Sequence, residues 1–149
     1  MVAGAQVRAS LSGGSLVRGG APVGLHVRDG IKLRPQVSAR LLRGVLFATP
    51  KRVEIVRAKH FRMSEEIREA VQCGPLLLEA GKPVAGLNDK RTARRTFAAV
   101  SANGATAALG SCPSVSTAQL GKLLCVGRLE GASNFVRATN IVCGPSTPS

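Results

Sequence analysis

The sequence predicts an α+β fold in which a mixed β-sheet with hairpins is covered by two main helices. Three observations lead there. Short apolar, β-branched runs are separated by turns containing Gly, Pro and Asn. Two stretches, opening at Ser64 and Ser116, carry helix-start chemistry. Apolar residues make up 44% of the 149, enough for a packed core, yet aromatic residues are only 3%. That core must therefore be built from Val, Leu, Ile and Ala.

Residues 1–22 read as a loose Gly/Ser-rich start, 23–143 as a single domain and 144–149 as a frayed Pro/Ser tail. Val23 to Val27 is a short strand. Asp29-Gly30 is a hairpin turn signal, and Ile31 to Leu33 returns. Pro35 ends that pairing because it has no N–H to donate. Arg40 to Ala48 is an apolar run, turned at Thr49 to Arg52, and Val53 to Val56 alternates as a strand should.

Ser64 is placed to cap a helix, with Glu65 and Glu66 at its positive end and Ile67, Ala70 and Val71 on its apolar face. Gly74-Pro75 would stop it. Leu76 to Leu78 reads as a buried strand, Ala80 to Lys82 as a turn, Pro83 to Leu87 as an edge piece and Asn88 to Arg91 as a polar loop. Thr96 to Val100 and Ala105 to Leu109 flank an Asn103-Gly104 hairpin turn. Ser116 and Gln119 form a capping box for a second helix through Leu120, Leu123 and Leu124, ended by Gly127. Ala132 to Val136 makes a last strand.

Charge is uneven. The net value is +13, and residues 1–62 hold 12 basic side chains against 2 acidic ones. Such a balance suits a phosphate polymer or an acidic glycan, or a solvated basic surface. No run of five like charges occurs, and stacking aromatics for single-stranded nucleic acid are missing. Cys73, Cys112, Cys125 and Cys143 lack any C-x-x-C pair, and His26 and His60 lie far from them, so no metal or cofactor is expected. Buried free thiols are the expected state, with a Cys112–Cys125 disulfide as the alternative in an exported chain. No stretch is apolar enough to span a bilayer, and Met1 to Ser15 has no signal-peptide core. The chain as written is therefore expected in the cytoplasm, and outside it or in the periplasm if the true start lies upstream.

The stretch Gln72-Cys73-Gly74-Pro75-Leu76-Leu77-Leu78-Glu79-Ala80-Gly81-Lys82, with Ala93 to Phe97, Val23-Gly24-Leu25, Asp29-Gly30 and Ser116 to Leu124, resembles the phosphodiester glycosidase domain. That family includes the lysosomal uncovering enzyme and bacterial relatives linked to exopolysaccharide. The resemblance covers about Ser12 to Thr139. It implies a hydrolase that cleaves a sugar from a sugar–phosphate diester in a glycan. Arg95, beside Thr96, then corresponds to the family's Arg-Thr pair, and Asn134 to the asparagine of a second motif. Arg95 and Asn134 are thus the expected catalytic residues, with Gly13, Gly14, Arg94 and Thr96 binding substrate. The chemistry of arginine suits the role: a planar guanidinium can hold both free oxygens of a diester at once.

The chain departs from the family pattern in two places. Ser12-Gly13-Gly14-Ser15 stands where the family has Asn-Gly-Gly-Phe, and Val136-Arg137-Ala138 stands where it has Asp-Gly-Gly. Glycosidic cleavage ordinarily uses a carboxyl group, which valine lacks. Asp29, Glu79 and Asp89 are the candidate replacements. Two alternatives to an active hydrolase follow: a non-catalytic binder of acidic or phosphorylated glycan, and, ranked last, a basic nucleic-acid-binding protein without any recognised nucleic-acid motif.

Overall fold

The computed structural model describes residues 23–126 and 135–141. Among them the chain forms ten strands and one α-helix, so the fold is mostly β. This corrects the α+β expectation of a mixed sheet under two helices. Two five-stranded sheets are present, and every recorded pairing is antiparallel.

The first sheet has the order β2-β1-β5-β3-β4. Its strands are β1 (His26–Arg28), β2 (Ile31–Arg34), β3 (Gly44–Ala48), β4 (Val53–Arg57) and β5 (Glu69–Cys73). The second has the order β7-β6-β10-β8-β9. It comprises β6 (Leu76–Glu79), β7 (Lys82–Pro83), β8 (Ala93–Ser101), β9 (Ala107–Val115) and β10 (Phe135–Ile141). The helix α1 is Thr117–Val126.

The expected helix after Ser64 does not form. Only a turn closes there, with Ile67 N donating to Ser64 O at 3.2 Å. Glu69–Cys73 is instead the central strand of its sheet, bonded to β1 on one side and β3 on the other. Ala70 and Val71 show why. Ala70 packs with Leu25, Val27 and Phe61 on the outer face, and Val71 with Leu46, Ile55 and Ala98 between the sheets. That is the two-residue alternation of a strand. A five-residue segment buried on both faces takes its conformation from its neighbours rather than from its own propensity.

Gly74-Pro75 does not end a helix. It carries the chain from β5 in one sheet to β6 in the other, through a cis peptide bond. A side chain at Gly74 would overlap the carbonyl oxygen of Leu41, so the crossover requires glycine there. Asn140 clamps the same point. Its backbone oxygen accepts from Gly74 N at 3.0 Å, its N–H donates to Pro75 O at 2.9 Å, and its side-chain Nδ2 donates to Gly74 O at 3.3 Å.

Between the sheets lies a core of Leu46, Ile55, Val71, Cys73, Leu76, Ala98, Val100 and Ile141. The second sheet's outer face is covered by Leu120 of α1 against Leu77, Ala99 and Ala138. The helix starts as its capping box predicts: Gln119 N donates to Ser116 Oγ at 3.1 Å and Ser116 N to Gln119 Oε1 at 2.9 Å. Asp29 and Gly30 both have positive φ, as a two-residue hairpin turn needs. The second predicted hairpin is longer than expected. Its loop spans residues 102–106, and Asn103 Oδ1 accepts from Ser101 Oγ and Ala105 N.

Gln72 ties the outer face together. Its side chain is 3% exposed, and its Oε1 accepts from Leu25 N at 3.1 Å and Val37 N at 3.0 Å. Its Nε2 donates to Val37 O at 2.6 Å and Leu42 O at 2.8 Å. Gly24, with φ +90, leaves room for it, since a Cβ there would lie 2.6 Å from Oε1. The amide thereby holds residues 35–43, an extended strap with almost no burial of its own, against β5.

Two outcomes follow. Gln72→Ala strands four backbone groups and is expected to lower unfolding free energy by about 3 kcal/mol or more, measured by urea titration, with faster proteolysis within residues 35–43. Burial pushes the Cys73 thiol up from 9.0 to about 11. The folded state therefore keeps that proton when the unfolded chain loses it, and this contribution is present below pH 9 and lost as pH rises towards 11. The stability advantage of wild type over Cys73→Ala is expected to shrink by about 2 kcal/mol across that window, read from denaturant midpoints at each pH.

Candidate functional site

One end of the two sheets opens into a cleft of about 980 Å³. Four separate segments supply its basic wall: Arg40 and Arg43 from the strap, Arg57 from the end of β4, Arg91 from the loop after β7, and Arg94 and Arg95 from the start of β8. Among the described residues lining it, Glu79 is the one carboxylate. Six guanidinium groups against one acid in a concave site focus a positive potential that attracts anions.

Strand β8 reaches the cleft through a register shift between Ala93 and Arg95. Beyond it, Ala98 and Val100 point between the sheets, while Phe97 and Ala99 point towards α1. Arg95 shares the parity of Phe97. Its Nε donates to Val115 O at 3.0 Å and its Nη2 to Arg91 O at 3.0 Å, which fixes the plane of its guanidinium. Burial, with a smaller contribution from Arg91, lowers its pKa, but guanidinium stays charged at any working pH. Arg94 is exposed and Thr96 half-buried, both on the cleft wall.

The start of α1 borders the same space through Thr117. Asn88 O accepts from Ala118 N at 3.0 Å and from Thr117 Oγ1 at 3.1 Å, which ties the loop carrying Arg91 to the helix. Asn88 Oδ1 in turn accepts from Lys90 N and Arg91 N. Leu41, 63% exposed, gives the rim an apolar surface, and Val84 and Leu87 extend it.

Arg57 and Glu79 face one another with two contacts: Nε to Oε2 at 3.0 Å, and Nη2 to Oε1. A second cavity of about 300 Å³ meets the cleft at this pair. It shares Arg57, Leu76 and Glu79 with the cleft and adds Ile55, Leu78, His60 and Arg137. Arg137 Nη1 donates to Ile55 O at 3.3 Å, so this exposed side chain reaches across from β10 to β4 at the mouth of the cavity.

Of the expected site residues, the structure brings Arg94, Arg95 and Thr96 to the cleft. Gly13, Gly14 and Asn134 lie outside the described residues. Asp29 lies in the β1–β2 turn and Asp89 in the exposed loop after β7, whereas Glu79 lines the cleft. Sequence reasoning missed Arg40, Arg43 and Arg57, whose signal was only the charge excess of residues 1–62, and Arg91, which it read as part of a polar loop. It also missed Asn140, which lines the cleft and whose Oδ1 is buried without a hydrogen-bond partner. Cys73, Cys112 and Cys125 are free thiols. No group of three or more His, Cys, Asp or Glu among the described residues could hold a metal ion. No described helix is long and apolar enough to cross a membrane.

The chain belongs to the phosphodiester glycosidase family, whose model matches residues 4–134. It is also similar to the uncharacterized protein YigE of Escherichia coli strain K12, 35% identical over 83 residues. That match covers 51% of this chain and 33% of YigE, so the chain spans about a third of that relative's length.

Anion binding here is testable apart from any reaction. Arg94→Ala is expected to weaken pyrophosphate binding about tenfold, the loss of one charge-assisted bond. Calorimetry at low and high salt checks it, and the wild-type affinity should itself fall with salt.

Proposed function

We propose that this protein is a hydrolase that cleaves a sugar from a sugar–phosphate diester within a phosphorylated glycan. The observation that carries the reading is the cleft in which six arginines, drawn from four segments, surround one carboxylate. Membership of the phosphodiester glycosidase family supports the reading.

In this reading the diester's two free oxygens are held by guanidinium groups, and Arg95 is the principal grip. Its plane is already set by the carbonyls of Val115 and Arg91, so little ordering is lost when substrate arrives. As the bond between the sugar and the phosphate oxygen breaks, negative charge grows on the phosphate. Fixed cations in a recessed site stabilise that charge more than the ground state. Asn134 acts with Arg95, and Gly13, Gly14, Arg94 and Thr96 complete the seat. Leu41, Val84 and Leu87 offer an apolar surface to the group beyond the phosphate.

A second reading is favoured by one observation. Val136 stands where the family has its acidic residue, and Arg137 stands in place of a glycine, with its guanidinium on Ile55 O. A chain altered there could bind phosphorylated glycan without cleaving it.

A synthetic hexose-1-phosphate methyl diester separates the two. Release of free sugar is expected, with kcat/KM reduced about 10²-fold in Arg95→Ala. Arg95→Lys should recover little, because an ammonium cannot reproduce two parallel N–H bonds. Binding of the diester by wild type with no sugar released would establish the second reading.

A further inference from the structure

We propose that Glu79 is the nucleophile that receives the sugar, an inference that rests on the hydrolase reading above. Three observations place it there. Glu79 is the one carboxylate among the described residues lining the cleft. It stands where the cleft meets the 300 Å³ cavity, since both include it. And Arg57 holds both its oxygens, Nε on Oε2 at 3.0 Å and Nη2 on Oε1, so the carboxylate is aimed rather than free to rotate.

The position assigns the two halves of the substrate. Arg94, Arg95 and Arg91 stand on the cleft side, which takes the phosphate. The smaller cavity, walled by Ile55, Leu76 and Leu78, takes the sugar ring. The anomeric carbon then lies at the junction, beside Glu79. A carboxylate oxygen has more than one lone pair, so a bond to Arg57 leaves each oxygen able to react.

One carboxylate is sufficient because of the leaving group. An ordinary glycosidase needs a second carboxyl group to protonate a departing alkoxide. A phosphate monoester has a second pKa of about 6 and departs as the dianion near neutral pH without a proton. Arginines replace the missing acid. In the first step a Glu79 oxygen bonds to the anomeric carbon, the bond from that carbon to the phosphate oxygen breaks, and its electron pair leaves on the phosphate. In the second, water attacks the anomeric carbon from the face the phosphate left. The bond to Glu79 breaks, the carboxylate is regenerated, and the proton from water passes to solvent. Two displacements leave the anomeric configuration unchanged.

The test uses the full chain and two hexose-1-phosphate methyl diesters, of glucose and of N-acetylglucosamine. Proton NMR is expected to show sugar first released with retained configuration. Glu79→Ala should lose about 10³-fold in kcat while still binding the diester. Sodium azide should then restore turnover as a glycosyl azide of opposite configuration. Glu79→Gln, which keeps the shape and one acceptor for Arg57, should be equally inactive with an unchanged melting temperature. Wild-type turnover with inverted product, or Glu79→Ala activity within tenfold of wild type, would overturn the assignment and leave the hydrolase reading intact. No sugar released by wild type would instead remove the hydrolase reading itself, and this assignment with it.

Discussion

The buried amide of Gln72 is the constraint on which the site depends. Residues 35–43 have almost no apolar contacts of their own, so hydrophobic burial cannot fix their path. The middle of that path is fixed by a side chain on the central strand that satisfies Val37 through both its N–H and its C=O and reaches Leu42 as well. Two bonds with Ala58 support it: Gln36 Nε2 donates to Ala58 O, and Ala58 N donates to Arg43 O. An amide offers two donors and two acceptor positions, the complement of an extended backbone. Two cleft arginines, Arg40 and Arg43, travel with that strap. Remove the amide and the cleft loses one wall, while the sheet beneath keeps its pairing.

Immediately after Gln72 the chain changes sheets at Gly74-Pro75, and the same few residues therefore solve a second problem. The crossover is held by Asn140 from β10 and by the close approach of the strap at Leu41. Strap, crossover and β10 meet at one point, the floor of the cleft. Its chemistry is thus built on backbone held from several directions, which suits a site that must present fixed charges. Among the described residues, the buried side-chain polar atom without a partner, Asn140 Oδ1, is found at this junction.

The charge of the cleft comes from one local basic cluster, Arg91 to Arg95, and from arginines that the fold brings to it. Arg40 and Arg43, Arg57, and the group Arg91, Arg94 and Arg95 come from three stretches well apart in sequence. Antiparallel pairing brings the end of β4 and the start of β8 to one edge, where Arg57, Arg91, Arg94 and Arg95 stand, and the strap adds Arg40 and Arg43. Mutual repulsion among them is relieved locally: Arg57 by Glu79, and Arg95 by two carbonyl oxygens. A cleft assembled this way is left with an excess of positive charge for an anionic ligand to neutralise.

Local chemistry was legible wherever neighbours a few residues apart decide the outcome. The capping box of Ser116 and Gln119, the Asp29-Gly30 turn, the Leu76 to Leu78 strand and the clustering of Arg94 and Arg95 near a strand mouth depend on contacts within one segment or on short-range pattern. The ordered motifs were enough to place the chain in its family. The strand at Glu69–Cys73 was not legible, because apolar residues at 67, 70 and 71 fit one helical face as well as two faces of a strand. Only burial between two partner strands chooses between them, and those partners lie far away in sequence. The same holds for Glu79, Arg57 and the Arg40–Arg43 pair: their residue types were visible, but their shared location with Arg94 and Arg95 is a property of the sheet order, which no local pattern encodes.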